Sequence, residues 1–295
     1  MKPVKVGICG LGTVGGGTFN VLKRNADEIS RRAGRRITVE QVGARSANPA
    51  CDTKGIQVTQ DIFDVAKNPE IDVVVELIGG YEIARELVLT AIENGKHVVT
   101  ANKALIAVHG NEIFEAAQRK NVMVAFEASV AGGIPIIKAI REGLSANQIN
   151  WLAGIINGTG NFILTEMFET GRAFDDVLAE AQALGYAEAD PTFDIDGIDA
   201  AQKLAILAAI AFGGAPDFDA VETSGIRQVS ALDIAFAKEL GYRIRLLGVA
   251  VRSEMGVEQR VSACMAPAQS PLARIDGVTN AVMIEGAPVG QSLLV

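Results

Sequence analysis

Val4-Lys5-Val6-Gly7-Ile8-Cys9, running straight into Gly10-Leu11-Gly12-Thr13-Val14-Gly15, is the stretch on which the reading of this 295-residue chain turns. The first six residues have the texture of a short buried strand. The next six spell Gly-x-Gly-x-x-Gly, and Gly16 and Gly17 lead on into a helical pattern. Between a strand and a helix each glycine has its own duty. The first permits a tight turn, the second lets a pyrophosphate approach the backbone, and the third lets helix pack on strand. The helix start then offers N–H groups and a positive dipole end to phosphates. Gly10, Leu11, Gly12, Thr13, Val14 and Gly15 are therefore the candidate cofactor-binding residues. A glycine-rich turn without a ligand is the plainer reading, and the strand–turn–helix setting disfavours it.

Outward from this stretch, strands and helices alternate. A helix is expected over Val14 to Ala33, stopped by Gly34, and a second strand over Ile37 to Ala44. NAD-preferring domains usually end that strand on an acid that binds the ribose hydroxyls. Here the tip reads Ala44-Arg45-Ser46, and Arg45 suits a 2′-phosphate, so NADP is favoured, with NAD as the alternative. Asp61 caps a short helix. Asp72 to Ile78 is a buried strand ending in Gly79-Gly80, Glu82 to Asn94 a helix, and His97 to Thr100 the next strand. Lys103 follows in Ala101-Asn102-Lys103, at the carboxyl end of a parallel strand, where open α/β sheets bind ligands. His109 falls in a loop, Gly110 to Lys120 is helical, and Val122 to Phe126 is a further strand. The sum is a Rossmann-type, doubly wound parallel sheet.

Composition fits and excludes. The 49% hydrophobic content with only 5% aromatics means Ala, Val, Ile and Leu, as helices on buried parallel strands require. The formal net charge of −8, with no basic block beyond Arg31, Arg32, Arg35 and Arg36 near a helix end, argues against a nucleic-acid partner. Cys9, Cys51 and Cys264 are odd in number and lack metal spacing, which points to a reduced, cytoplasmic setting. The first strand starts at Val4, leaving no room for a leader, and the apolar run Leu204 to Phe212 is far short of the ~18 residues of a membrane span. Neither histidine has a neighbouring carboxylate in sequence, and no cysteine has an evident base.

The texture changes after Phe126, and the domain boundary is set at 130/131. Residues 131–295 read as α+β. Helices are expected at about Ile136 to Gly143, after Asn157-Gly158-Thr159-Gly160-Asn161, and over Phe174 to Leu184 and Ser230 to Leu240. Strands are expected over Gln148 to Ile156, Arg243 to Arg252, Val257 to Met265 and Ala281 to Glu285. The most informative passage in this half is Gly185 to Leu207, GYAEADPTFDIDGIDAAQKLAIL. Lys203 sits in an apolar helix, and a buried ammonium is costly unless paired. Asp199 lies one turn earlier on the same face. Glu188, Asp190, Asp194 and Asp196 crowd the preceding loop. On its own this is either a structural ion pair with a snorkelling lysine or a chemical site.

Taken together, these segments resemble the homoserine dehydrogenase family. The likeness is carried by GYAEADPTFDIDGIDAAQK, by TANKALIA (Thr100 to Ala107), by FEASVAGGIP (Phe126 to Pro135) and by GIINGTGNFIL (Gly154 to Leu164), in the family's order. The resemblance implies NAD(P)H-dependent, reversible reduction of L-aspartate 4-semialdehyde to L-homoserine, on the way to threonine, methionine and isoleucine. It implies that Lys203 moves the proton on the alcohol or aldehyde oxygen, and that Lys103 is a second catalytic lysine near nicotinamide and substrate. Glu188 would hold the substrate ammonium, Asp199 would bind substrate with Asp194 in support, and Gly185 would touch the cofactor through its backbone. Carbonyls at about Glu127, Val130, Gly132 and Ile134 would hold a monovalent cation, usually sodium. A homodimer formed through the sheet of the second, substrate-binding and dimerisation domain is also implied.

The family usually continues past Gly290-Gln291-Ser292-Leu293-Leu294-Val295 into a segment returning to the nucleotide domain. The expectation is therefore a catalytic part shortened at its C-terminus. The alternative from another class is a non-catalytic, nucleotide-sensing subunit; the presence of Lys103, Glu188, Asp199 and Lys203 argues against it. A methyltransferase is opposed by Arg45 at the position where an acid is wanted, and by the lysine-centred site.

Overall fold

The computed structural model describes residues 2–295. The chain divides into two compact units, Met1–Ser129 and Val130–Val295. In the first unit the order of elements is β1 (Val4–Cys9), α1 (Thr13–Arg24), α2 (Ala26–Ala33), β2 (Ile37–Gly43), β3 (Gln57–Thr59), α3 (Ile62–Lys67), β4 (Val73–Glu76), α4 (Glu82–Glu93), β5 (His97–Thr100), α5 (Lys103–Lys120) and β6 (Val124–Ala125). The sheet runs β3-β2-β1-β4-β5-β6, every pair parallel. This is the 3-2-1-4-5-6 order of dinucleotide-binding sheets, and the order reverses between β1 and β4. The ligand crevice of such a sheet lies at the carboxyl ends of those two strands, which here are Cys9 and Glu76, paired in register. Val6, Ile8, Phe19, Val42 and Val75 fill the core beneath them.

Two expectations need correction in this unit. The helix expected over Val14 to Ala33 is two helices, broken at Asn25. Asn25 begins a helix-start pattern, with Asp27 and Glu28 in the first turn of α2 and Arg31 and Arg32 in its last, complementing the dipole at both ends. The helix expected from Gly110 begins at Lys103 instead, so His109 lies inside α5 and not in a loop. The start is fixed by Asn102, whose side chain accepts from Leu105 N–H at 3.1 Å. Gly110 is buried within the helix, and two residues on Glu112 makes a two-pronged ion pair with Arg85 of α4. The strand β3 adds an edge that the sequence reading did not include.

The second unit holds α6 (Ile136–Lys138, continued as a π turn to Gly143), β7 (Gln148–Ile155), α7 (Gly158–Thr170), α8 (Phe174–Ala183), α9 (Thr192–Ile195), α10 (Ile198–Phe212), β8 (Glu222–Thr223), α11 (Ala231–Glu239), β9 (Tyr242–Ser253), β10 (Gly256–Pro267), β11 (Ala281–Ala287) and β12 (Gly290–Leu294). Its sheet runs β12-β11-β7-β9-β10-β8 and is antiparallel except for β10 with β8. Helices α7, α10 and α11 pack against β9. The helix α10 is apolar almost all round, which is the mark of a buried helix. Leu204, Ala205, Ile206 and Leu207 are each no more than 1% exposed. A second apolar face gathers Ala153, Ile155, Leu247 and Met283, with Trp151, Val249 and Cys264 only partly covered.

Candidate active site

At the carboxyl edge of the first sheet the glycines behave as the fingerprint requires. Gly10 has φ +97°, and a Cβ there would stand 2.6 Å from the Leu77 carbonyl oxygen. A Cβ on Gly15 would stand 2.0 Å from the Gly10 carbonyl, so any side chain would push α1 off β1. Beside Gly12, by contrast, a Cβ would meet nothing within 4 Å. Turn and helix are thus locked while the middle glycine faces open space, which suits close approach of a pyrophosphate. Leu11 is buried, and its carbonyl accepts from Asn48 Nδ2 at 2.8 Å. That bond ties the loop after β2, which carries exposed Arg45, to the glycine turn. Thr13 and Val14 lie exposed in the first turn of α1, which carries no acid that would repel phosphate.

Sequence reasoning missed Glu76 at this edge. It closes β4 and is fully buried. Oε1 accepts from the N–H groups of Ile78 at 2.9 Å and Gly79 at 3.2 Å, and Oε2 accepts from Thr100 Oγ1 at 2.6 Å. Thr100 Oγ1 in turn accepts from Asn102 N–H at 2.9 Å, and Asn102 Nδ2 donates to the Gly80 carbonyl at 2.8 Å. One carboxylate therefore braces both the Gly79-Gly80 loop and the start of α5, whose first residue is Lys103. The signal available in the sequence was an acid closing an otherwise apolar Val73-Val74-Val75-Glu76 strand. Glu76 also acts on Cys9. Burial first, and this carboxylate second, push the Cys9 thiol up to about 12, so it stays protonated at neutral pH and is no nucleophile.

In the second unit the crowded acids separate into distinct jobs. Asp190 accepts from Thr192 N–H at the start of α9, and these Thr192 hydrogen bonds hold its carboxyl below the usual range. Asp196 pairs with Arg227 through two bonds of 2.9 and 3.0 Å. Asp199 and Lys203 form the ion pair that their spacing predicts, Nζ to Oδ2 2.7 Å, with both side chains largely buried. Lys203 Nζ also donates to the Ile156 carbonyl at 2.8 Å. Asp194 joins them through Asn157, whose Nδ2 donates to Asp194 Oδ1 at 2.7 Å and to Asp199 Oδ2 at 2.8 Å. An ammonium has three hydrogens, and two of those on Lys203 are committed to protein acceptors. The pair thus holds the ammonium by two of its three hydrogens.

Glu188 and Gly185 are not drawn into this cluster. Both are exposed on the loop after α8, and among the described residues the Glu188 carboxylate makes no hydrogen bond or ion pair with it. The loop itself is fixed. Thr159 Oγ1 donates to the Tyr186 carbonyl at 2.6 Å, Gln182 Nε2 to the Glu188 carbonyl at 3.0 Å, and Tyr186 meets Phe162 edge-on. Glu127 lies in a 3-10 turn closing the first unit, while Val130, Gly132 and Ile134 open the second, with left-handed backbone at Ala131 and Gly133 between them. The Ile134 carbonyl accepts from Ile136 N–H, whereas those of Val130 and Gly132 accept none of the turn's bonds. Among the described residues no group of three or more His, Cys, Asp or Glu could hold a metal.

A dinucleotide-type sheet carrying the glycine turn, with a second unit bearing a lysine–aspartate pair, defines an NAD(P)-dependent oxidoreductase. Comparison with known proteins makes this specific. Residues 10–127 match the family profile described as "Homoserine dehydrogenase, NAD binding domain", and residues 135–295 match the one described as "Homoserine dehydrogenase". The homoserine dehydrogenase of Pseudomonas aeruginosa is 70% identical over 99% of this chain and 68% of its own length, and that of Bacillus subtilis 41% identical over 99% and 68%. The crystal structure of a homoserine dehydrogenase from Thiobacillus denitrificans superposes with a TM-score of 0.96 at 62% identity, covering 100% of this chain and 68% of that one. A hyperthermophilic archaeal homoserine dehydrogenase in complex with NADPH superposes at 0.83 with 27% identity, over 99% and 91%. The chain belongs to the homoserine dehydrogenase family. Among the described residues no helix is long and apolar enough to cross a membrane.

Proposed function

We infer that this chain catalyses the family's reaction, the reversible NAD(P)H-dependent reduction of L-aspartate 4-semialdehyde to L-homoserine. The observation that carries the reading is the Lys203–Asp199 pair, tethered at both Asp199 Oδ2 and the Ile156 carbonyl. The reduced nicotinamide, when bound, supplies a hydride to the aldehyde carbon. Negative charge then grows on the former carbonyl oxygen, and the uncommitted N–H of Lys203 stabilises that charge and delivers its proton. In the reverse direction the same nitrogen takes the proton from homoserine. Asp199 keeps the ammonium oriented. Lys103, at the start of α5, adds positive charge on the nicotinamide side. Glu188, on the loop after α8, receives the substrate ammonium, and Asp199, with Asp194 in support, binds substrate.

Gly10, Leu11, Gly12, Thr13, Val14 and Gly15 hold the pyrophosphate, and Gly185 adds a backbone contact. Residues 1–130 serve the nucleotide, and residues 131–295 serve substrate and dimerisation. The partly covered apolar face around Trp151, Val249 and Cys264 supports a homodimer. Neutral carbonyls at Glu127, Val130, Gly132 and Ile134 suit a hard monovalent cation such as sodium, since oxygen donors favour it over softer metals. Reduced, buried Cys9 and Cys51 fit a cytoplasmic enzyme.

The test is oxidation of homoserine with NADP and NAD side by side, followed by absorbance of the reduced nicotinamide. Silence with both nucleotides overturns the reading. Arg45 supports NADP as the preferred form. Arg45→Ala is expected to raise the KM for NADP by about tenfold, the loss of one charge-assisted contact of roughly 1.5 kcal/mol, while the KM for NAD stays within twofold. Equal changes for both nucleotides would remove Arg45 from phosphate recognition.

A further inference from the structure

Asn157 caps α7, and that alone explains an asparagine there: its Oδ1 accepts from Gly160 N–H at 2.6 Å. Its amide nitrogen does something a cap does not need. Both Nδ2 hydrogens are spent on carboxylates from two other elements, Asp194 on α9 and Asp199 on α10. The side chain is 4% exposed. Its orientation is not open to a flip, because Gly160 N–H requires an oxygen on one side and two carboxylates require donors on the other. Of the cap residues only asparagine has an acceptor and two donors on so short a stem. Asp199 Oδ2, the oxygen that receives Asn157, is also the one that receives Lys203. Without the amide, Asp194 Oδ1 would lose this donor and Asp199 Oδ2 would keep the bond from Lys203 but lose its second tether.

We propose that Asn157 is a positioning residue of the reaction: by bridging Asp194 and Asp199 it fixes the carboxylate that orients Lys203. This rests on the reading of Lys203 as the proton-transferring group. Asn157 touches no reacting atom and acts only through Asp199. The Ile156 carbonyl, the second acceptor of Lys203, belongs to the preceding residue, so one short segment sets both anchors of the ammonium.

Two substitutions separate capping from bridging. Asn157→Asp and Asn157→Ser both keep a strong helix cap. The first replaces the donors by a carboxylate facing two others, and the second removes them. Both variants should fold, Asn157→Ser with the smaller loss in melting temperature because it adds no third carboxylate, and both should keep the dissociation constant for NADP within twofold. Their kcat for homoserine should fall at least thirtyfold, more for Asn157→Asp than for Asn157→Ser. Combined with Lys203→Ala, neither should lower the residual rate further, because the route through Lys203 is already gone. If kcat stays within threefold of the parent in both variants, or if neither variant folds, Asn157 is a structural cap and the proposal falls. An additive loss on top of Lys203→Ala would likewise overturn the route through Lys203. If Lys203→Ala itself retains turnover, it is the reading of Lys203 that fails, which the single variant reports separately.

Discussion

Lys203→Ala is expected to lower turnover by about 10³-fold or more while leaving NADP bound with parental affinity. The size follows from what is removed. A positioned general acid–base contributes roughly 10²–10⁴-fold, and the ammonium also stabilises the developing alkoxide. The fold should survive. Asp199 keeps its bond from Asn157 Nδ2, so no carboxylate is left without a donor. The carboxylate left behind is only 7% exposed, so that bond is what keeps it satisfied. Nucleotide binding should be unaffected because the glycine turn, and not Lys203, holds the pyrophosphate. Steady-state rates with homoserine, paired with titration of NADP by protein fluorescence, check both halves of this expectation. A residual kcat within tenfold of the parent removes Lys203 from the chemistry.

The second large effect is on stability and comes from Glu76. Replacing it by alanine removes the acceptor of three donors: the buried Thr100 hydroxyl, the N–H of half-buried Ile78 and the N–H of exposed Gly79. Each unsatisfied buried group costs roughly 1–3 kcal/mol, and partial relaxation makes about 3 kcal/mol a fair total. At about 2–4 °C per kcal/mol that lowers the melting temperature by roughly 6–12 °C. Activity should suffer as well, since the Gly79-Gly80 loop and the start of α5 lose their common brace. Glu76→Gln should be far milder, because an amide oxygen can still receive both N–H groups. If alanine and glutamine behave alike, the charge and not the hydrogen bonding is what matters at this position. The measurements are thermal unfolding and the KM for NADP of the two variants.

Much of this was legible in the sequence for a physical reason. The glycine turn declares itself within a dozen residues, and Lys203 with Asp199 obeys helical spacing. The sheet order follows from alternating strands and helices. What stayed hidden depends on distant partners or competing local signals. Glu76 reads as one more residue of an apolar strand until Thr100, 24 positions away, is placed beside it. Asn157 reads as a cap until Asp194 and Asp199, 37 and 42 positions on, close around its amide. The break at Asn25 was masked by continuous helical periodicity. The early start of α5 was masked by Gly110, which reads as the start of the helix but is buried inside it. Among the loop acids, spacing gave no means of telling Asp196, which pairs with Arg227, from Asp194, which reaches the site.

The protonated thiol of Cys9 gives the nucleotide unit a built-in clock. Buried under the glycine turn and raised to about 12, it is closed to alkylating reagents and peroxide while the unit stays folded. Once β1 opens, the thiol meets water, returns to its ordinary acidity and reacts. The rate at which Cys9 is labelled therefore reports how often this strand lets go, a frequency that neither turnover nor melting temperature records. Any ligand that settles on the turn above should slow that labelling in proportion to its occupancy, so the cysteine can report binding without taking part in it.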